Sequence, residues 1–565
     1  MPPASEELDL RSRWVGPLPL VNAVIGRLDL IGLLARHVPA HHSQVVEPAL
    51  LLGVLLRNFA LSKDALYAQA DWAGRCEPHL LGLSADQLQH CDDDRLGRAL
   101  DRLYQADRAS LLTEVAVRTV RVFSVALDEL HNDSTTVTFS GDYRRATGRM
   151  LHGRRALRIT RGFNKDHRPD LKQLVWVLTV SADGAVPVHF RLCDGNTGDD
   201  QTHLDTWRAV RDIAGRADFF YIADSKLCTR DAMTAIDAAG GRFLTVLPKT
   251  RSEEAELRRW VREERPAWQD LGKRPNPRDP DGAQDLWRAV QSPHPSAEGY
   301  RIILYWSSLK AERDAHSRTE ALDKAEAALR TLADRLAGPR CRLHEREQVE
   351  DAIATALGDR ALDWIRVRLT QRSEETFRQE RPGRPTPDTR YRRLVTHRWH
   401  IEWHLDLEAL HRDAACDGIF PLITNDRHMT PEQLLAKYKY QPCLEKRHQQ
   451  LKTVQHVAPV FLKNEGRVEA MLLIHYLALL VHALLERWLR LALKDAKLTA
   501  LPIYPEQRDS PAPTTDRLFE TFDHLQCHRL YADDRLVRSF APQLTPLQRQ
   551  ILDLMHISPD DFAPA

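Results

Sequence analysis

Net charge, paired cysteines and long apolar runs are all scarce in this chain of 565 residues. The formal net charge is only +1 although 28% of residues are charged, so a polyanionic partner must be met by local basic patches and not by a global field. The eight cysteines (76, 91, 193, 228, 341, 416, 443 and 527) form no C-x-x-C pair and have no histidines at zinc-finger spacing. That excludes a disulfide framework and a structural zinc module, and a reducing cytoplasmic setting fits. Residues 1–10 (MPPASEELDL) are polar and acidic where a secretory leader needs a cationic and then an apolar stretch. The most apolar run, residues 471–485 (MLLIHYLALLVHALL), is about five residues short of a bilayer span and contains His475 and His482. It reads as a buried helix.

The required basic patches are present. Residues 142–172 carry ten Lys or Arg against three acids, and residues 437–467 carry seven against two. The length calls for about three or four domains or large insertions. Residues 1–120 read as an N-terminal helical region: residues 50–59 (LLLGVLLRNF) follow Ser43 and Pro48, types that often mark a helix start, and residues 95–103 and 111–122 keep helical spacing. No recognition helix stands out, so a DNA-binding module and a packing or dimerisation role both remain open.

From about Val122 the pattern turns to strands. Residues 122–127, 135–139, 174–180, 186–191 and 219–223 are apolar and β-branched or aromatic, with helices expected over 202–214 and 229–239 and a further strand over 243–247. Hairpins followed by strand-helix alternation describe a mixed α/β sheet over residues 121–250. Residues 251–425 interrupt it with a strand at 300–306 and a helix opened by a capping box at Ser317 and Glu320, whose Leu322, Leu329, Leu332 and Leu336 share a face. A Pro-rich break at 381–388 and a strand at 417–424 follow. Residues 426–498 hold a helix starting at Thr430-Pro431, a basic segment and the apolar helix; residues 499–565 are a Pro-rich linker and tail.

Three acids stand out. Asp224 emerges at the end of the apolar strand 219–223, where side chains at a sheet's carboxyl edge converge on ligands, although a helix cap explains an Asp there as well. Asp133 lies in Asn132-Asp133-Ser134-Thr135, where an Asx-turn before a strand is equally good. Glu445 stands among Lys437, Lys439, Lys446, Arg447 and Lys452, and Tyr438, Glu445 and Lys452 repeat every seven residues, on nearly one helix face. A solvated amphipathic helix has the same pattern. Two aspartates and a glutamate in a basic segment could hold two divalent ions on a phosphodiester.

Residues 438–452 (YKYQPCLEKRHQQLK) resemble the Tyr-x2-Arg-x3-Glu-x6-Lys signature of bacterial insertion-sequence DDE transposases, at Tyr438, Glu445 and Lys452, with Gln441 where that group has arginine. Further blocks resembling the group occur in the same order: residues 161–173 (RGFNKDHRPDLKQ), 194–199 (DGNTGD), 223–225 (ADS), 417–425 (DGIFPLITN) and 458–460 (APV) before Arg467. The resemblance covers roughly residues 125–490. It implies a ribonuclease-H-like catalytic core interrupted by a large insertion domain, in a bacterial, nucleoid-associated protein. Asp133, Asp224 and Glu445 would be the catalytic triad on Mg2+, for which Mn2+ substitutes. Tyr438, Gln441, Lys452, Lys165 and Arg168 would contact DNA. The partners implied are double-stranded DNA, as terminal inverted repeats and target, and a second copy in a homodimeric complex.

Two departures bear on activity. Gln441 brings no charge to a phosphate, and Pro442 requires the helix to start or kink there, which would take Tyr438 off the face of Glu445. A related nuclease and a non-catalytic DNA-binding descendant are therefore the alternatives. Residues 398–408 (RWHIEWHLDLE) also read Arg-x3-Glu, as an aromatic-rich helix with Glu402, but Val395 and Ala409 stand where Tyr and Lys are expected. His397, His400 and His404 there suggest a metal cluster, with packing on a half-buried helix the plainer reading.

Overall fold

The computed structural model describes residues 8–40, 45–62, 64–275, 282–338, 340–454 and 462–564. Ser43 and the block Ala458-Pro459-Val460 lie outside the described residues. The chain divides into two compact units, Met1–Thr245 with Thr424–Ala565, and Val246–Ile423. The inserted unit begins and ends within a few residues of the 251–425 read from the sequence.

The larger unit opens with β1 (Leu8–Trp14) and six helices: α1 (Leu18–Leu28), α2 (Leu30–His37), α3 (Pro48–Leu61), α4 (Gln69–Arg75), α5 (Asp93–Gln105) and α6 (Arg108–Phe123). Pro48 sits in the first turn of α3, where its missing N–H costs nothing, and Asp92 caps α5 by accepting from Arg95 N. The strand expected over residues 122–127 is absent: α6 continues to Phe123, and Ser124 in a left-handed conformation ends it. Helical packing through Val115, Ala116 and Thr119 overrides the β-branched composition there.

Next come β2 (Glu129–Phe139), the short hairpin β3 (Met150–Leu151) and β4 (Arg154–Arg155), β5 (Lys172–Ser181), β6 (Pro187–Cys193), α7 (His203–Ala214), β7 (Phe220–Ile222), α8 (Arg230–Ala238) and β8 (Arg242–Val246). The sheet order in this unit is β6-β5-β2-β7-β8, antiparallel from β6 to β2 and parallel from β2 to β8. This is the mixed α/β pattern expected, with β2 at its centre. Asp133 is five strand positions into β2 and not in a turn before a strand.

The inserted unit contains α9 (Ser252–Glu264), β9 (Gln269–Arg274), β10 (Asp285–Gln291), β11 (Arg301–Ser307), α10 (Ser308–Ala337), α11 (Arg346–Ala361), β12 (Ile365–Gln379), β13 (Tyr391–Leu405), α12 (Leu407–Ala414) and β14 (Ile419–Thr424). Two expectations are corrected. Ser317 does not open a helix: α10 starts nine residues earlier, where the Ser307 side chain accepts from Lys310 N. Residues 398–408 are not one helix: β13 runs through them to Leu405 because Trp399, Ile401, Trp403 and Leu405 alternate with His400, Glu402 and His404, a period of two. His397 therefore lies on the opposite face from His400 and His404. The Pro-rich residues 381–388, read as a break from the sequence, form the turn of this hairpin.

Back in the larger unit the chain forms α13 (Pro431–Tyr438), α14 (Gln441–Gln449), a π-helical turn (Gln450–Val454), α15 (Glu465–Asp495), α16 (Thr515–Phe522), β15 (Gln526–Ala532), β16 (Arg535–Phe540) and α17 (Pro546–Met555). The 31-residue α15 is long and apolar enough to cross a membrane, and its apolar window is wholly buried inside the protein. Apolar on all sides, it needs partners on all sides. It finds them in α1, α3, α5, β6, α16 and α17. Residues 1–120 and 499–565, expected as separate pieces, thus lie in the same compact unit and share its core.

Candidate active site

Strand register brings the two aspartates together. In the parallel pair, His131 of β2 lies opposite Ile222 of β7, and each aspartate follows two residues later. Adjacent strands run about 4.8 Å apart, so Asp133 and Asp224 leave neighbouring strands side by side. Burial pushes the Asp133 carboxyl up to about 6, and repulsion from Asp224 and Asp199 adds to that against the pull of Lys165. Burial also works to raise Asp224, but the His203 imidazole beside it, the Lys226 N–H and the Lys165 charge together outweigh that and hold its carboxyl below the usual range.

Lys165 arrives from the loop between β4 and β5. Its Nζ lies 3.1 Å from Asp199 Oδ2 and 3.5 Å from Asp133 Oδ1, and donates to Ser134 O at 2.6 Å and Ser134 Oγ at 2.7 Å. Ser134 Oγ in turn donates to Asp199 Oδ1 at 2.5 Å. The loop reaches this position because two glycines let backbones touch. A Cβ on Gly162 would lie 2.2 Å from Gly195 O, and one on Gly195 would lie 2.0 Å from Gln173 O. Gln173 fastens the contact by donating to Gly195 O and Phe163 O and accepting from Asn164. The blocks RGFNKD and DGNTGD are therefore two sides of one construction that delivers Lys165 and Asp199.

Two buried histidines flank the pair. His203, the first residue of α7, has Nε2 3.7 Å from Asp224 Oδ1, while its Nδ1 faces the Asn132 amide at 3.3 Å and the Tyr221 hydroxyl at 3.4 Å. Thr179 Oγ1 donates to Asn132 Oδ1 at 2.9 Å, which fixes that amide. On α14, His448 places Nε2 3.8 Å from Asp133 Oδ2. Burial, with repulsion from Lys165 and Lys452, pushes His448 down to about 3, so it stands as a neutral imidazole beside the carboxylate.

The segment bearing the third acid is two helices and not one. Lys439 ends α13, and α14 begins at Gln441 with Pro442 in its first turn, as the proline requires. Tyr438 and Glu445 are thus on different helices, yet they remain neighbours. Burial raises the Tyr438 phenol to about 12, and the charges of Asp224 and Glu445 contribute. The break is clamped to β2 through Gln441, whose Nε2 donates to Asn132 O at 3.3 Å and whose Oε1 meets His131 Nδ1 at 3.1 Å. His131 Nε2 lies 3.0 Å from Glu129 Oε1, and Lys437 donates to Glu129 Oε2 at 2.5 Å. Gln441 is therefore engaged inside the protein, one residue from Asp133.

Glu445 is on the exposed side of α14. Lys452, in the π-helical turn, pairs with Asp166 at 2.6 Å, tying that turn to the Lys165 loop. Arg168 is exposed and makes a two-point contact with Asp170 at 2.9 and 2.8 Å. Asp199, His203 and His448 were not singled out from the sequence. Asp199 lies inside the DGNTGD block and His448 inside the 438–452 segment, whereas nothing in the sequence marked His203.

The donor chemistry suits a divalent cation: two neighbouring carboxylates, one of them raised by burial and then by its acidic neighbours, with a lysine as the countercharge in this geometry. Among the described residues, no three His, Cys, Asp or Glu side chains converge at ligand distances as they stand.

Residues 10–117, from β1 into α6, match a family described as Domain of unknown function (DUF4277). No curated protein matches the chain. Among solved structures it is similar to the piggyBac transposase in its synaptic complex with hairpin DNA, determined by cryo-electron microscopy, at 8% sequence identity and a TM-score of 0.38, over 91% of this chain and 82% of that chain.

Proposed function

We propose that this chain is a DDE transposase of an insertion sequence, with a ribonuclease-H-like core formed by β2, β5–β8 and α14. It would cut transposon DNA ends and join their 3′-hydroxyls to target DNA. The observation that carries this reading is the β2–β7 register, which sets Asp133 beside Asp224 while Gln441 clamps the Glu445 helix to the same strand. Asp133 and Asp224 would hold Mg2+ or Mn2+, with Glu445 supplied from α14. When bound, two such ions activate the attacking oxygen and stabilise the leaving one.

The chain's own residues prepare that site. Lys165 offsets part of the repulsion among the buried carboxylates, which helps the site stay folded before a cation or phosphate enters. His203 orients Asp224, and its own ring is oriented by Asn132 and Tyr221. The Tyr438 phenol stays protonated at any physiological pH and so can donate to a phosphate oxygen. Lys452 and Arg168 would meet the DNA backbone by exchanging Asp166 and Asp170 for phosphates. The local structure at Gln441 and Pro442 is a built junction, which favours an active enzyme over a decayed one.

The test is cleavage and strand transfer on the inverted repeats that flank the reading frame, with Mg2+ or Mn2+. Wild type should cut and join; Asp224→Asn should bind the same DNA and do neither. DNA binding by wild type without cleavage under either ion would sink the proposal. Cleavage without joining would identify a nuclease.

A further inference from the structure

In the inserted unit, β12 and β13 form a two-stranded antiparallel ribbon separate from every other sheet, fifteen residues per strand, from Ile365↔Leu405 to Gln379↔Tyr391. At about 3.4 Å per residue it is roughly 50 Å long. Its two halves differ. Near the base, Ile365, Val367, Leu369, Trp399, Ile401 and Trp403 point to one face and join the core built on Leu329, Leu332 and Leu336 of α10 and Val349 and Ile353 of α11. Beyond Arg372 that support ends: Phe377 is 65% exposed, Tyr391 50% and Val395 45%.

The composition of the ribbon is one-sided. From residue 366 to residue 398 there are ten arginines, no lysine and four acids, in a chain whose net charge is +1. Arg393 pairs with Glu375 across the strands. Among the described residues, Arg378, Arg381, Arg384, Arg390 and Arg392 have no carboxylate partner, and all five are exposed. Arg378 and Arg392 are direct cross-strand partners, an arrangement that repels and destabilises the ribbon unless an anion lies over it. Exposed Phe377 and Tyr391 are diagonal neighbours on the other face.

We infer that the distal half of this ribbon is a DNA-docking arm that lies in the major groove of duplex DNA. A two-stranded ribbon has the width that groove admits, and unpaired guanidinium forks suit both phosphate oxygens and the guanine edge displayed there. A second copy of the chain is the poorer occupant, because pairing two arms would bring two arginine-rich tips together. The inference rests on the proposed function only for DNA as the partner; it needs no catalysis.

The test uses the full chain and a duplex of about 40 base pairs in EDTA, with binding followed by fluorescence anisotropy across a salt series. The variant is Arg378→Gln with Arg384→Gln, Arg390→Gln and Arg392→Gln. The log affinity against log salt should lose roughly 3 to 4 units of slope, near 0.9 per phosphate contact, and affinity should fall at least tenfold at low salt. Wild type should shield guanine N7 from dimethyl sulfate, and the variant should not. Unchanged slope and affinity would overturn the inference, as would a change in oligomeric mass with DNA binding intact. The catalytic reading fails separately: a wild type that shows the ribbon's salt slope but never cleaves with Mg2+ refutes the transposase and leaves the arm standing.

Discussion

Replacing Asp133 by its amide should make the protein more stable and inactive. In the folded chain the Asp133 carboxyl is raised from 3.8 to about 6, chiefly by burial and then by its acidic neighbours, with Lys165 only partly compensating. The folded value lies above the unfolded one, so ionisation works against folding. That penalty is complete above pH about 6 and vanishes as pH falls toward 4. A little over two pH units corresponds to a ceiling of about 3 kcal/mol. The amide loses the attraction of Lys165, which keeps Asp199 as its partner at 3.1 Å, so a net gain of about 1–2 kcal/mol at pH 8 is expected for Asp133→Asn. Urea unfolding of wild type and variant at pH 8, 6 and 4.5 measures it. The variant should lead most at pH 8 and by little at pH 4.5, with cleavage lost throughout. A variant that is less stable than wild type at pH 8, or a difference independent of pH, would refute the account of crowded carboxylates.

Lys165→Met removes the countercharge between Asp133 and Asp199 and should lose about 1–3 kcal/mol at pH 8, less at pH 5 where Asp133 is protonated, in the same urea series. Gln441→Ala breaks the link from α14 to Asn132 O and His131; a loss of about 1–2 kcal/mol and faster amide hydrogen exchange over residues 441–449 are expected, and unchanged exchange would show the clamp to be idle. Gly195→Ala would press a methyl to 2.0 Å from Gln173 O, so a loss of about 1–3 kcal/mol or more should appear with reduced cleavage, because the Lys165 loop must move.

Much of this was legible in the sequence because it is local. Capping at Thr430 with Pro431, the apolar character of α15 and the apolar, β-branched runs of β5–β8 act within a few residues, and each element formed where its pattern lay. The failures were local contests decided by tertiary partners. Residues 122–123 stayed helical on the α6 packing surface, and residues 398–405 became a strand because β12 offered a partner and the α10–α11 core an apolar face.

By itself the sequence supplied three candidate acids, their order, and the motif blocks whose glycines and asparagines make sense only together. Tertiary structure alone decided which groups meet. The β2–β7 register set Asp133 beside Asp224 across 91 positions of chain, and the backbone contact of Gly162 with Gly195 turned Lys165 inward to the carboxylates. It also gave Gln441, a departure from the motif, a partner 309 residues away. The reason is physical: a residue's propensity and charge belong to its own few neighbours, whereas strand register and the pairing of a buried charge exist only once distant segments have packed.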